Sequence, residues 1–318
     1  MTLRPGTQPE GIKRILVVGE INVDLVFQGC QAMPQPGSEV LAEGFRMTPG
    51  SSSMICAMGL ARLGNPVTFH GKVGADEWGS YCLRALDEAG IGIASIQPDA
   101  SLQTGLTVSL STLQDRALVT YPGAMLALRA EDVDDALLAA ADHLHVSSYY
   151  LQPSLRAGCA ELFARAHATG LTTSLDPGFD PQQAWGADLN AMLREVDVFL
   201  PNEKELAAIS SQSTLLDGLY VLDNGRTLTV VKRGGLGCAS LHEGQWLEVP
   251  AYPVDALDST GAGDSFDAGF LHAWLRGMPL RECLRWGNAA GSLSTRGIGG
   301  TTMQADAVEA QALIEAGA

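Results

Sequence analysis

From Ile15 to Val231 this chain alternates short, unbroken apolar runs with stretches of helical periodicity, and that rhythm narrows its possible folds more than any other feature. Ile15-Leu-Val-Val18 contains no polar residue. A strand with one wet face alternates polar and apolar side chains, so an unbroken run implies cover on both faces, as in a parallel sheet between helices. Comparable runs at 67–73, 143–147, 171–175, 196–200 and 228–231 predict further strands, and helical patterns are predicted at 53–63, 77–89, 130–141, 155–168 and 182–194. The alternation predicts an α/β fold with a doubly wound, mostly parallel sheet flanked by helices. Beyond Leu228 the pattern shifts to shorter strands at 237–241 and 245–249, then to helices near 263–276, 280–294 and 305–316.

One portion breaks the alternation. Segments 104–113 and 116–121, rich in Thr, Val and Leu and separated by Gln114-Asp115, predict a hairpin inserted between α/β units. With the extended stretch 23–45 they are expected to form a small β-sheet lid over a cleft. The expectation is a single domain over 1–318, preceded by a polar leader, since 318 residues suit one large α/β unit with an appendage.

Composition excludes several partners. Thirty-six acids against twenty Lys and Arg give a net charge of −16, which opposes binding to nucleic acid or to anionic membranes. The six cysteines show no C-x-x-C pair, so neither a zinc knuckle nor a disulfide framework is indicated. No stretch approaches the ~20 apolar residues of a membrane span, and a cytoplasmic protein is expected. The six histidines lack metal-ligand spacing apart from His143-x-His145 on a buried run, where a core role is expected.

The densest chemistry lies in Asp258-Ser-Thr-Gly-Ala-Gly-Asp264, which opens an amphipathic helix. Gly261, Ala262 and Gly263 let a bulky anion reach the backbone, and the first-turn amides and helix dipole favour negative charge there. A carboxylate in such a cradle would repel phosphate, which suggests that Asp264 takes a proton from an attacking hydroxyl. The cradle is expected to lower the pKa of Asp264. There is no G-x-x-x-x-G-K-[ST] loop, and no G-x-G-x-x-G follows the first strand.

This turn resembles the signature of the ribokinase-like, PfkB-type carbohydrate kinases, in which the second Asp of D-[ST]-T-G-A-G-D is the catalytic base. The likeness runs from Gly19-Glu-Ile-Asn-Val-Asp24 to Gly299. It implies an ATP- and Mg²⁺-dependent kinase acting on a primary hydroxyl of a small sugar or sugar derivative. Asn202-Glu-Lys-Glu205 matches the family's N-x-x-E motif, so Asn202 and Glu205 are implied to organise waters around Mg²⁺; by spacing alone it is a helix capping box. Val230-Val-Lys-Arg-Gly-Gly-Leu-Gly237 resembles the nucleotide-side turn, with Lys232 reaching a phosphate and Gly234 and Gly237 allowing close approach, and Asn288 falls where the family lines its adenine pocket. Asp258 and Thr260, with the 296–299 loop, resemble the monovalent-cation site of some members, which implies potassium. Asn22 and Asp24 lie where sugar hydroxyls bind, and Gly50 permits a tight approach. Pro49 and Met54 replace a Gly and an Asn of the usual G-G-x-x-x-N, so acceptor specificity does not carry over. A homodimer through the lid is a further expectation. The rival readings are a nucleoside kinase of the same family and a sugar- or nucleotide-binding sensor that has lost turnover.

Overall fold

The structure, a computed structural model, describes residues 11–112, 116–186 and 188–317. Its strands are β1 (Ile15–Val18), β2 (Asn22–Gln28), β3 (Gly44–Pro49), β4 (Val67–His70), β5 (Val73–Gly74), β6 (Pro98–Asp99), β7 (Gly105–Ser111), β8 (Arg116–Tyr121), β9 (His143–Val146), β10 (Thr172–Leu175), β11 (Val198–Phe199), β12 (Leu228–Lys232), β13 (Cys238–His242) and β14 (Gln245–Val249). An 8-stranded sheet runs in the order β14-β13-β12-β11-β10-β9-β1-β4. From β12 to β4 it is parallel, and the hairpin β13-β14 closes one edge antiparallel.

The unbroken apolar runs work as expected. In β1, Ile15 and Val17 join one core cluster with Phe69, Val230 and the helix Ala262–Trp274, while Leu16 and Val18 join another with Leu144, Phe163 and Val231. Both faces are sealed. The strand order reverses beside β1, where β4 lies on one side and β9 on the other, and such a reversal opens a crevice at the carboxyl ends of the strands.

The lid is a separate 4-stranded sheet, β3-β2-β7-β8. Its register gathers Asn22, Asp24, Thr107, Thr120 and Thr48 on one face and Leu25, Phe27, Phe45, Met47, Val108 and Val119 on the other. The hairpin tip Gln114-Asp115 and most of the leader lie outside the described residues.

Two predicted helices come out shorter. Segment 130–141 divides into a 3-10 turn, Ala130–Asp132, and the helix Asp135–Ala139, because the Asp134 carboxylate caps the second piece by accepting the Leu137 amide. Only Asp188–Met192 and a following 3-10 turn are helical within 182–194. Upstream, the Asp180 carboxylate accepts the amides of Gln182, Ala184 and Trp185 and holds a loop instead. His143 and His145 sit fully buried on β9, hydrogen-bonded through Thr172, Ser174 and Ser147. Burial lowers their pKa values, so both are neutral core residues. Among the described residues no helix is long and apolar enough to cross a membrane.

Candidate active site

The Gly-rich turn lies at the carboxyl edge of the sheet. Gly261 has φ 70 and precedes the helix Ala262–Trp274; a methyl there would come within 2.7 Å of Gly300 Cα, so glycine is required for both conformation and space. The Ser265 N–H makes the first helical bond to Gly261 O at 2.9 Å, so the amides of Gly263 and Asp264 precede the helix's own ladder. Asp258 fixes this turn. Its Oδ1 accepts from the Thr260 amide (2.9 Å) and hydroxyl (2.7 Å), and its Oδ2 accepts the Gly299 amide at 2.9 Å, which brings the proposed cation-site segments together.

Asp264 is half-buried. Its pKa is pushed up to about 7, first by burial and then by the Asp176 charge, against the opposing pull of Lys232 and the Ser52 hydroxyl. The expected lowering by the cradle is therefore wrong in sign: desolvation and crowded carboxylates outweigh the helix N-terminus.

That crowding comes from residues the sequence reading did not assign. One oxygen from each of Asp176, Asp264 and Asp267 lies within 4.8 Å of the others. Lys232 Nζ donates to Asp176 Oδ2 at 2.6 Å and to Asp267 at 2.9 and 3.1 Å. Lys232 is thus tied to two carboxylates rather than extended as a phosphate-reaching cation, although it also lines the neighbouring cavity. Burial raises Asp267 strongly, whereas Lys232 and the Gly178 amide hold Asp176 below the usual range despite its burial. Each had a visible signal: Asp176 ends a buried strand, and Asp267 interrupts the apolar face of a helix. Glu20 was also missed. It accepts the Ser53 hydroxyl at 2.6 Å and the Ser53 amide at 3.3 Å, so a buried carboxylate from the β1 edge serves the amino end of the helix Ser52–Arg62.

A cavity of about 430 Å³ adjoins the turn, lined by Gly234, Gly237, Tyr252, Gly263, Phe266 and Asn288 among others. Gly237, at φ 95, lies so close to Val249 O that a Cβ would collide with it. Asn288 is 4% exposed, and its amide donates to Val249 O at 2.9 Å and Pro250 O at 3.0 Å. It therefore holds the cavity wall in place.

Asn202 and Glu205 form the capping box of the helix Glu203–Ser210: Asn202 Oδ1 accepts the Glu205 amide (3.0 Å) and Glu205 Oε2 accepts the Asn202 amide (2.8 Å). Both capping and the implied metal role remain compatible, since each side chain has a second polar atom. Burial and Asp176 push the Glu205 carboxyl up to about 7.

The residues expected to meet the acceptor lie on β2 of the lid and on the turn after β3. Asn22 Nδ2 donates to Asp24 Oδ1 at 3.0 Å and to Thr107 Oγ1 at 3.2 Å. Gly50 leaves room for the Asp24 carboxyl, which any Cβ there would strike. From Gly50 the chain passes through Ser51, held at φ 67 with its hydroxyl donated to Glu20 O at 2.8 Å, and then reaches Ser52, the partner of Asp264. Met54 is fully buried in the core, so no side chain replaces the Asn of the usual motif at that position.

A glycine-lined cavity, an amide cradle beside a carboxyl group and a polar lid together define an α/β phosphotransferase for a small acceptor. Comparison with known proteins gives the family: residues 12–307 match the model of the pfkB family carbohydrate kinases, and the chain belongs to that family. It is similar to the ATP-dependent ribose-1-phosphate kinase of Halopiger xanaduensis, 30% identical over 284 residues and covering 88% of this chain and 91% of the relative. It is also 32% identical over 309 residues to a fructokinase of Klebsiella pneumoniae, covering 91% and 95%. The structure of Arabidopsis thaliana ribokinase complexed with ribose and ATP shares the fold, with a TM-score of 0.83, 23% identity and coverage of 96% and 99%. The chain is an ATP-dependent carbohydrate kinase.

Proposed function

We propose that this kinase transfers the γ-phosphoryl group of ATP to a primary hydroxyl of a small sugar or sugar derivative held beneath the lid. The observation that carries the reading is the position of Asp264, between the amide cradle beside the nucleotide-sized cavity and the Ser52 end of the path to Asp24. Asn22 and Asp24 orient the acceptor's hydroxyls. The amides of Gly261, Gly263 and Asp264 balance charge on the migrating group, whereas the expected Ala262 amide is donated to Ser259 O at 3.3 Å. Asp264 accepts the proton of the attacking hydroxyl, and its raised pKa makes it a more competent base than an ordinary aspartate. Lid closure excludes water, the competing nucleophile.

Asn202 and Glu205 would hold Mg²⁺ through its waters. The donor set suits this ion: a cleft bearing Asp176, Glu205, Asp264 and Asp267 against Lys232 is rich in negative charge, and hydrated Mg²⁺ favours oxygen ligands. When bound, the ion would supply positive charge to offset that of the phosphates.

Three further readings belong with this one. Potassium would sit at the Asp258–Thr260 turn beside the 296–299 loop, and equal rates in sodium and potassium salts would remove it. Two copies would pair through the outer lid face, where Phe45 is 60% and Val119 66% exposed; Val119→Asp that leaves the mass by light scattering unchanged would argue against pairing. The six cysteines, all buried and unpaired, fit a reducing cytoplasm.

The test is ADP release from MgATP with ketoses, aldoses, aldonic acids, ribose 1-phosphate and nucleosides. Stimulation by a sugar or sugar derivative is expected. A response to nucleosides alone would move the assignment to nucleoside kinase, and binding without turnover across the panel would leave a sensor.

A further inference from the structure

The Lys232 cluster holds one more carboxyl group than a structural ion pair needs. Asp176 alone would neutralise Lys232, and the Asp176 carboxylate is itself satisfied by the Gly178 amide at 2.7 Å. A second carboxylate, Asp267, is nevertheless fully buried in mid-helix, where aspartate is a weak helix former and an ionised carboxyl is expensive. It holds the ammonium by both oxygens. One helical turn separates Asp267 from Asp264, so the two lie on the same side of the helix. Lys232 Nζ lies under the cradle, where a methyl placed on Gly263 would be 3.6 Å from it.

We propose that Asp267 is a positioning residue for phosphoryl transfer: with Asp176 it pins the Lys232 ammonium beneath Gly263, so that a fixed cation backs the anion cradle. An unpinned lysine would sample several rotamers and would have to reorganise as charge moves; a clamped one presents its field in place. The charged groups surrounding Asp264 come from every neighbouring element: Asp267 on its own helix, Asp176 after β10, Lys232 at the end of β12, Glu205 after β11 and Glu20 after β1. Lys232 is the only cation among them, so its placement governs the local potential.

This inference rests on Asp264 being at the transfer site, and the experiment separates the two. Wild type, Asp267→Asn, Lys232→Met and the double variant are compared for kcat and KM with the acceptor that the panel identifies, for MgATP affinity by calorimetry, and for melting temperature. Asp267→Asn should lower kcat about ten- to hundredfold, with ATP KM within threefold, while its melting temperature holds or rises because a neutral amide of the same shape replaces a buried carboxyl that is costly to ionise. The double variant should melt above Lys232→Met, since one stranded carboxylate is removed, yet have no lower kcat than Lys232→Met, because Asp267 acts through the lysine. The acid limb of kcat against pH should move upward in Lys232→Met, which has lost the cation that favours ionised Asp264. If Lys232→Met does not fold, Asp267→Asn decides alone, as its Lys232–Asp176 pair survives. Turnover by Asp267→Asn within twofold of an active wild type would overturn the proposal, as would losses that multiply in the double variant or that track melting temperature. An inactive wild type would instead refute the kinase reading.

Discussion

The proposed nucleotide side and the proposed acceptor side of this cleft are built from different materials. The nucleotide side is made largely of backbone: Gly234, Gly237 and Gly263 line the cavity, Gly261 turns into the catalytic helix, and the Asn288 side chain is spent on holding the wall. The proposed acceptor side is made of side chains carried by a sheet, with Asn22, Asp24 and Thr107 linked by hydrogen bonds across β2 and β7. Backbone recognition suits a ligand part common to every turnover, the phosphate chain. Side-chain recognition can change acceptor by substitution without disturbing the cradle, and Met54 in the core is one such departure.

This contrast is open to mutation. Asp264→Asn, between the two sides, should have the largest effect, a loss of about a thousandfold or more in kcat with ATP affinity within about threefold, because it keeps the shape and removes the proton acceptor. It should also raise the melting temperature at pH 8. The folded Asp264 keeps its proton up to about pH 7 while an unfolded one releases it near 3.8, so its stability penalty appears as pH rises through that window and is complete above about 7. Thermal melts at pH 5 and pH 8 check the sign.

Asp24→Ala should raise the acceptor KM by roughly tenfold or more and leave ATP KM nearly unchanged, because the hydrogen bonds lost are to the acceptor. Steady-state kinetics with each substrate varied would show this, and a matching rise in both KM values would break the division of labour. Gly237→Ala should give the mirror image with a smaller change, a several-fold rise in ATP KM and a loss of about 1–3 kcal/mol in stability, since φ 95 and the nearby Val249 carbonyl both oppose a Cβ. Denaturant melts and ATP titration test it.

The same contrast explains what was legible in the sequence. Unbroken apolar runs revealed the two-faced sheet because period and burial are local properties, and the glycines of the cradle were visible for the same reason: backbone sites leave a composition. The meeting of the cluster around Asp264 was not visible. Glu205 and Lys232 stood in recognisable motifs, but Asp176 and Asp267 join them only at the sheet edge, so no spacing along the chain announces the encounter. The sign of the Asp264 shift depends on that meeting, which is why the helix N-terminus alone predicted it wrongly. The shortened helix in 182–194 reflects side-chain competition: Asp180 captures three amides that a helix would otherwise use.

The pH dependence of kcat/KM for the wild-type enzyme, which reports ionisation of the free enzyme, tests most directly whether a half-buried, crowded Asp264 is the proton acceptor. The ratio should be level above an apparent pKa near 7 and fall about tenfold per pH unit below it. A profile that stays flat down to pH 5, where the carboxyl would be protonated, would contradict the account.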